Sequence, residues 1–393
     1  MPIKTTQQSK SQNIPKLRFP GFSGGWEREK LGEFCEFLQG VQVDVDLQLK
    51  EPKEGYEKFL RIENYTQNSN DFRYVPKEVS RGKKIDINDV VAVRYGATAG
   101  FISKGFQGVL ANNLFTITPK NKDQLSKDFL FKILKQERVF KYLQAAMSGG
   151  AMPALSFSIM NPIKISFPSL PEQQKIASFL GAVDEWIQNL RKQKESLEKY
   201  KKGMMQKIFS QKIRFPGFSG EWEEKKVGDV FEVTRGYVLA VKDMKVEQDE
   251  KYPFPVYSSQ TRNKGLIGFY KDFLYEDAIT WTTDGANAGD VNFRKGKFYC
   301  TNVCGVLLNK QGYANEFMAE ALNAVTKKYV SYVGNPKLMN NVMAKIKMQI
   351  PTIAEQQKIA DFLTSVDDLI SLKEKQISQA ESWKKGLMQG LFV

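Results

Sequence analysis

Residues Pro171 to Phe209 read PEQQKIASFLGAVDEWIQNLRKQKESLEKYKKGMMQKIF, and the same pattern closes the chain. Ala354 to Phe392 read AEQQKIADFLTSVDDLISLKEKQISQAESWKKGLMQGLF, at a constant offset of 183 residues with no gap. A second repeat surrounds the first. Leu17 to Gly40, LRFPGFSGGWEREKLGEFCEFLQG, returns as Ile213 to Gly236, IRFPGFSGEWEEKKVGDVFEVTRG, at an offset of 196. The order is therefore module, helix, module, helix, and an internal repeat of this kind decides architecture before any single residue does. The boundaries expected from it are a disordered tail over 1–16, a module over 17–170, a long helix over 171–212, a second module over 213–353 and a second helix over 354–393.

Both long segments are helical by their apolar period. Ile176, Val183, Leu190, Leu197 and Met204 recur every seven residues, and Phe179, Trp186 and Tyr200 fill most of the intervening positions. Ile359, Val366, Ala380 and Leu387, with Phe362, Leu369 and Trp383, repeat this in the second copy. This is a heptad stripe of coiled-coil type. Extra apolar rows, Leu180, Ile187, Met205 and Ile208, then Leu363, Ile370 and Leu391, widen it. A stripe wider than a strict heptad seam predicts more than two helices in the bundle. Alternatively, the extra rows cover the chain's own modules. Ser169-Leu-Pro-Glu172 and Thr352-Ile-Ala-Glu355 fit the capping box, in which the hydroxyl takes an orphan N–H and the glutamate reaches back to the cap. A helix of roughly 38 residues spans about 57 Å at about 1.5 Å per residue. If the second helix runs back along the first, the pair is antiparallel and the modules are related by a pseudo-two-fold axis, as the strands of DNA are.

The fold class expected is thus α+β: two α/β modules of shared fold separated by two long antiparallel helices forming a coiled coil. Val90–Arg94 and Ala278–Thr282 read as buried strands. Each leads into a glycine loop, Arg94-Tyr-Gly-Ala-Thr-Ala-Gly100 and Thr283-Asp-Gly-Ala-Asn-Ala-Gly289, then an asparagine-bearing strand, then a helical segment near 126–146 and 314–330. The aromatics of the first block, Phe19, Phe22 and Trp26, and their copies Phe215, Phe218 and Trp222, are expected to pack its Pro-Gly turn onto the module.

Composition narrows the function. At 41% hydrophobic and 26% charged residues the chain reads as an ordinary soluble protein, and no run of 18 apolar residues predicts a membrane span. The polar start MPIKTTQQSKSQNIPK lacks the apolar stretch of a signal peptide. Three cysteines, Cys35, Cys300 and Cys304, argue against a disulfide framework and fit a reducing bacterial cytoplasm. The net charge is +14; the two helices carry +4 and −1, so +11 lies in the modules and tail, where a polyanion is expected to bind. Generic solubility charge is the competing reading. With no histidine in the chain, histidine-based triads, H-E-x-x-H proteases and histidine–metal nuclease sites are excluded, and no metal is expected at Cys300-x-x-x-Cys304. There is no Walker loop and no N-P-P-Y or D-P-P-Y run, and the E-x-K triplets at Glu51 and Glu224 lack a nuclease context. No residue set here is expected to make or break a covalent bond.

The twin RFPGFSG-x-W-E blocks, the twin EQQKIA-x-FL-x-x-VD helix starts and the twin KKG-[ML]-M-Q-x-[IL]-F ends resemble the specificity subunit of type I restriction-modification systems over about residues 15–393. That resemblance implies a non-catalytic subunit with two target-recognition domains, each reading one half of a bipartite double-stranded DNA site. The helices would space them like a ruler and dock two methyltransferase subunits. Motor-nuclease subunits would complete the complex, with S-adenosylmethionine, ATP and Mg2+ used on those other subunits and no cofactor bound by this chain. Two rival readings are the recognition subunit of a two-component restriction enzyme that cuts both sides of its site, and a stand-alone coiled-coil DNA-binding protein.

For DNA contact the polar loops supply the candidates, because arginine grips guanine O6/N7 and asparagine grips adenine N6/N7. In the first module these are Arg61, Asn64, Arg73, Arg94, Tyr95, Thr98, Asn112 and Asn113. In the second they are the loop residues Tyr257, Ser258, Ser259, Gln260, Arg262 and Lys264, with Thr282, Thr283, Asn287 and Asn302. Lys104, Lys264 and Lys337 are assigned to phosphates, which position without specifying. The methyltransferase interface is expected on the outer rows Leu180, Ile187, Met205, Ile208, Leu363, Ile370 and Leu391.

Overall fold

The computed structural model describes residues 13–80, 83–148, 153–259 and 262–393, with only the backbone of Arg262. Of the expected tail, residues 1–12 lie outside the described residues, while the Asn13 carbonyl accepts the Trp26 N–H at 2.7 Å. The chain forms two compact units, residues 1–189 with 377–393 and residues 190–376. Each long helix therefore contributes one half to each unit.

The long helices run Leu170–Phe209 and Ile353–Leu391. The first stops short of the expected Lys212. Gln211 takes a left-handed φ of 55°, and the Lys212 N–H returns to the Lys207 carbonyl at 2.9 Å, which ends the helix as a left-handed cap does. Within the second unit Lys194 pairs with Glu374 and Lys201 with Asp367, each at 2.8 Å. Seven residues forward on one helix is seven back on the other, so the pair is antiparallel.

The first unit holds a four-stranded sheet in the order Cys35–Gln39, Leu114–Pro119, Val90–Val93, Ile102–Ser103. A second sheet orders Arg73–Pro76, Tyr56–Leu60, Gly108–Leu110 and Lys84–Ile85, with Phe59 and Leu60 parallel to Val109 and Leu110. Val90–Val93 is buried on both faces, as its unbroken apolar run requires. The segment expected as one helix over 126–146 is two, Lys127–Leu134 and Glu137–Met147, because Gln136 is extended between them. The core joins Phe115, Phe129 and Leu130 to Ile176 and Leu180 from the central helix and to Leu391 and Phe392 from the chain's end. Phe392 stacks on Phe129 at 5.4 Å and meets the edge of Trp26 at 6.2 Å.

In the second unit the two sheets are one, ordered Glu232–Arg235, Cys304–Leu308, Tyr275–Thr282, Val291–Cys300, Phe254–Tyr257, Leu266–Tyr270. The merger follows from length: Val291–Cys300 runs ten residues and pairs with both halves, where the first unit has two short strands. Phe317 in the helix Glu316–Thr326 meets Trp222 at 5.6 Å and Phe209 at 5.8 Å, so the end of the central helix closes this core as Phe392 closes the other.

The repeated blocks have a shared mechanical role. Arg18 grips Glu172 with Nε at 2.9 Å and Nη2 at 2.7 Å; Arg214 grips Glu355 at 2.9 and 2.6 Å. Glu172 and Glu355 are 1% and 2% exposed. The expected capping boxes are corrected accordingly: Thr352 Oγ1 does accept the Glu355 N–H at 3.4 Å, but both glutamates are spent on arginines rather than on their own caps. Phe19 and Phe215 lie edge-on to Phe179 and Phe362 of the helices, at 5.4 and 5.7 Å, while Trp26 and Trp222 pack on module aromatics as expected, on Phe129 and Phe317 at 5.8 and 5.6 Å. Both blocks end in glycine because a Cβ on Gly40 would overlap the carbonyl oxygens of Leu110 and Ala111, and one on Gly236 those of Cys300 and Thr301.

The first heptad register is buried as expected at Ile176, Val183, Leu190, Ile359, Val366 and Ala380. Leu180, Ile187, Ile208, Leu363 and Leu391 are buried within the units, while Met205 and Ile370 are half-buried. The aromatics of the other register meet across the helix pair, Trp186 with Trp383 at 6.4 Å and Tyr200 with Phe362 at 6.2 Å, and keep one side open: Trp186 and Trp383 are each 48% exposed, and Tyr200 and Leu369 are exposed as well. Among the described residues no helix is long and apolar enough to cross a membrane.

Candidate nucleic-acid interface

The two glycine loops have one backbone frame. The Gly100 N–H donates to Val93 at 2.9 Å and the Gly289 N–H to Thr282 at 2.8 Å; Ala99 and Ala288 donate to Gly96 and Gly285, each at 2.9 Å. Gly96 and Gly285 donate to Pro153 and Pro336, at 3.1 and 2.9 Å. Positive φ at Gly96, Gly100, Gly285 and Gly289, 88°, 82°, 94° and 85°, explains the four glycines.

On this frame the first module gathers Arg94, Tyr95, Thr98, Asn112 and Asn113. The Arg94 N–H donates to Asn113 at 2.8 Å, so the end of one buried strand lies beside the asparagine pair. The Arg94 guanidinium lies 4.9 Å from the Tyr95 ring centroid and 5.7 Å from that of Phe157, and forms no ion pair among the described residues. Two aromatic rings thus hold an uncommitted five-donor fork. Tyr95 and Thr98 are exposed. Asn112 lends its carbonyl to Gln39 at 2.8 Å and its amide to Gln42, while the buried Asn113 Oδ1 has no partner.

Three first-module candidates are not brought to this place as free groups. Asn64 is 0% exposed, and its side chain is consumed locally: Oδ1 accepts the Arg61 N–H at 2.8 Å, and Nδ2 donates to Ser69 and Asp71 carbonyls at 2.9 and 3.2 Å. Arg61 pairs with Glu63 at 2.7 Å and Asp71 at 3.5 Å, and Arg73 with Asp71 at 3.4 Å. They cap and brace the helix Ile62–Thr66. Lys104, assigned to phosphate, is paired with Asp128.

The second module decorates the frame differently. Thr283 stands where Arg94 stands, fully buried, with Oγ1 on the Val303 carbonyl at 3.0 Å and on Asp284 at 2.7 Å. Thr282 is also buried. Neither threonine faces solvent, so both are corrected as contact residues. Asn287 gives its amide to the Ser259 carbonyl at 3.0 Å, and Lys337 lies 3.7 Å from Asp284. Asn302 and Lys264 are exposed. Ser258 shares a hydroxyl bond with Thr301 at 2.9 Å, and Tyr257 packs under an arginine, Arg294. Gln260 and the Arg262 side chain lie outside the described residues.

Sequence reasoning missed four features. Arg18 and Arg214 were quoted only as part of a motif. Arg294 sits in a strand with no pattern to set it apart. The exposed Tyr332 and Val333 near Pro336 carry no motif. The outward groove of Phe179, Ala182, Val183, Trp186 and Trp383, about 420 Å³, was hidden by the heptad reading. All three cysteines are buried, and burial pushes the Cys35 thiol up to about 12 and the Cys304 thiol up to about 11, with Cys300 raised for the same reason. Glu316, Glu320 and Asp367 lie together, but the Lys201 ammonium sits 2.8 Å from both Glu320 and Asp367.

A family model for the type I restriction modification DNA specificity domain matches residues 23–199 and 219–382. The chain is 27% identical over 435 residues to the type I restriction enzyme MjaVIII specificity subunit of Methanocaldococcus jannaschii, covering 98% of this chain and 96% of that one. A Mycoplasma pneumoniae protein named as a type I specificity subunit is 33% identical over 240 residues, 60% of this chain and 87% of its own. Among solved structures, the S subunit of a type I restriction-modification system from M. genitalium superposes with a TM-score of 0.69 at 18% identity, covering 96% and 99% of the two chains. A chain solved in work on complex assembly and conformational transition of the type I R-M system gives 0.53 at 16%, covering 96% and 98%. Those identities speak for the fold. The matches fall on both modules and both helices, and the chain belongs to the type I restriction-modification DNA specificity family.

Proposed function

We propose that the chain reads both halves of a bipartite double-stranded DNA target for a type I restriction-modification complex, one half with each module. The observation that carries this is the common glycine-loop frame with opposed decoration: Arg94, Tyr95 and Thr98 in one module, Asp284 and Asn287 in the other. Backbone bonds hold the frame whatever side chains it bears, so each module presents its own donors and acceptors to base edges. The +11 charge of the modules and tail supplies the sequence-independent attraction to phosphates.

The helices act as spacer and as docking face for two methyltransferase subunits. The groove of Phe179, Trp186 and Trp383 in the first unit has its repeat counterpart in Phe362, Leu369 and Tyr200 in the second. Exposed aromatic side chains of this size on a long helix suit a helical partner. Catalysis belongs to the partners: methyl transfer from S-adenosylmethionine to the methyltransferase subunits, and ATP- and Mg2+-dependent translocation and cleavage to motor-nuclease subunits, all in the bacterial cytoplasm.

The test is the methylation pattern of a host expressing this chain with its methyltransferase. A bipartite adenine motif is expected, and exchanging residues 237–350 for those of a related subunit is expected to change one half only. A motif altered in both halves, or methylation by this chain alone, would overturn the reading.

A further inference from the structure

Arg294 lies in the strand Val291–Cys300 and is 6% exposed, with no carboxylate pairing it among the described residues. Taking a guanidinium out of water without an anion is costly, so its remaining contacts matter. It stacks 3.8 Å from the Tyr257 ring centroid. Nε donates to Thr280 Oγ1 at 3.0 Å, and Nη2 donates to the Lys264 backbone carbonyl at 2.7 Å. Lys264 is not ordinary backbone: Asn263, Lys264 and Gly265 have φ of 51°, 52° and 90° in sequence. A Cβ makes this region unfavourable, and a lysine stays there only where something holds it.

The other flank of the same loop is held too. The Ser258 N–H donates to Gly265 at 2.8 Å, the Asn287 amide to Ser259 at 3.0 Å, and the Thr301 hydroxyl meets that of Ser258 at 2.9 Å. In the first module the segment after the matching strand Tyr56–Leu60 is a helix closed by its own Asn64, and needs no such arginine.

We propose that Arg294 is a positioning residue for DNA reading by the second module: it locks the Lys264 backbone in the left-handed conformation and so presents the exposed Lys264 ammonium and the Ser258–Ser259 edge to that module's half-site. This rests on the DNA-reading function above. Its test uses the full chain assembled with its methyltransferase subunits, measuring methylation of the cognate site against sites altered at one position in either half. R294M is expected to lose about tenfold or more of the discrimination in the second module's half and less than about twofold in the other. R294K, which keeps the charge but not the planar fork, is expected to lose an intermediate amount, and it replaces R294M in every comparison if R294M does not fold.

The second arm is a double-mutant cycle with K264G. Glycine adopts positive φ freely, so if Arg294 works by holding Lys264, removing it from the K264G chain is expected to cost less than about threefold. A part played only in packing would give the same loss in both backgrounds, and that result would overturn the proposal. So would equal losses in both half-sites, or undiminished discrimination by both arginine variants. A wild-type chain with no half-site preference would instead overturn the DNA-reading function itself.

Discussion

At the end of the strand Val90–Val93 the first module sets Arg94, half-buried, against two aromatic rings and with no ion pair among the described residues; at the matching point the second module sets Thr283, fully buried on the Val303 carbonyl. The loops that follow make the same backbone bonds to Val93 and Thr282 and to Pro153 and Pro336. What is shared is main chain and glycine; what differs is the polar tip. A frame built from backbone hydrogen bonds tolerates exchange of its side chains, which is what a family of DNA readers requires of its scaffold.

The sharpest way to break this comparison is through the staples. If the frames are equivalent, R18A and R214A should cost alike and more than any other change below, because each leaves a buried glutamate without its cation. Thermal or denaturant unfolding of the full chain reads this, and a clear inequality between the two would mean the units are not held alike.

Next in size is Arg94. R94Q is expected to weaken discrimination in the first module's half-site by about 1–3 kcal/mol, the range of a bidentate base contact, with the other half-site unchanged. Competition binding with oligonucleotides altered in one half measures it; weaker binding to every oligonucleotide alike, with discrimination intact, would make Arg94 a phosphate contact.

The smallest effect sharpens the helix packing of the first unit. Asp184 takes Lys132 at 2.6 Å and Lys384 at 2.5 Å. Burial pushes its carboxyl up, but those two lysine bonds outweigh burial and leave it below the ordinary 3.8. A carboxyl lowered on folding stabilises above its unfolded value and loses that contribution as pH falls through the folded one. D184N should therefore cost about 1 kcal/mol at pH 7. Its gap from wild type in a pH series of unfolding should close as the solution is acidified below pH 3.8.

Several elements were legible from pattern alone. The offsets of 183 and 196 residues placed two helices and two modules, and the G-A-x-A-G match located both loops. Local rules sufficed there, since helix period, glycine and chain order need no knowledge of distant residues. The site was legible in part: Arg94, Tyr95, Thr98, Asn112 and Asn113 do come together, whereas Asn64, Arg61 and Thr283 are spent on local bonds that no spacing announces.

The sequence by itself thus determined the repeat, the helices, the glycine turns and the class of function. Which face of each helix is buried was decided only in three dimensions. A heptad with extra apolar rows has more apolar surface than a two-helix seam can cover, and the modules took Leu180 and Leu363 into their cores while Trp186 and Trp383 meet each other and stay half exposed. Likewise Glu172 and Glu355 looked like helix caps until Arg18 and Arg214, 154 and 141 residues distant, claimed them. A buried carboxylate takes the strongest partner that the tertiary fold brings within reach, and that partner need not be near in sequence.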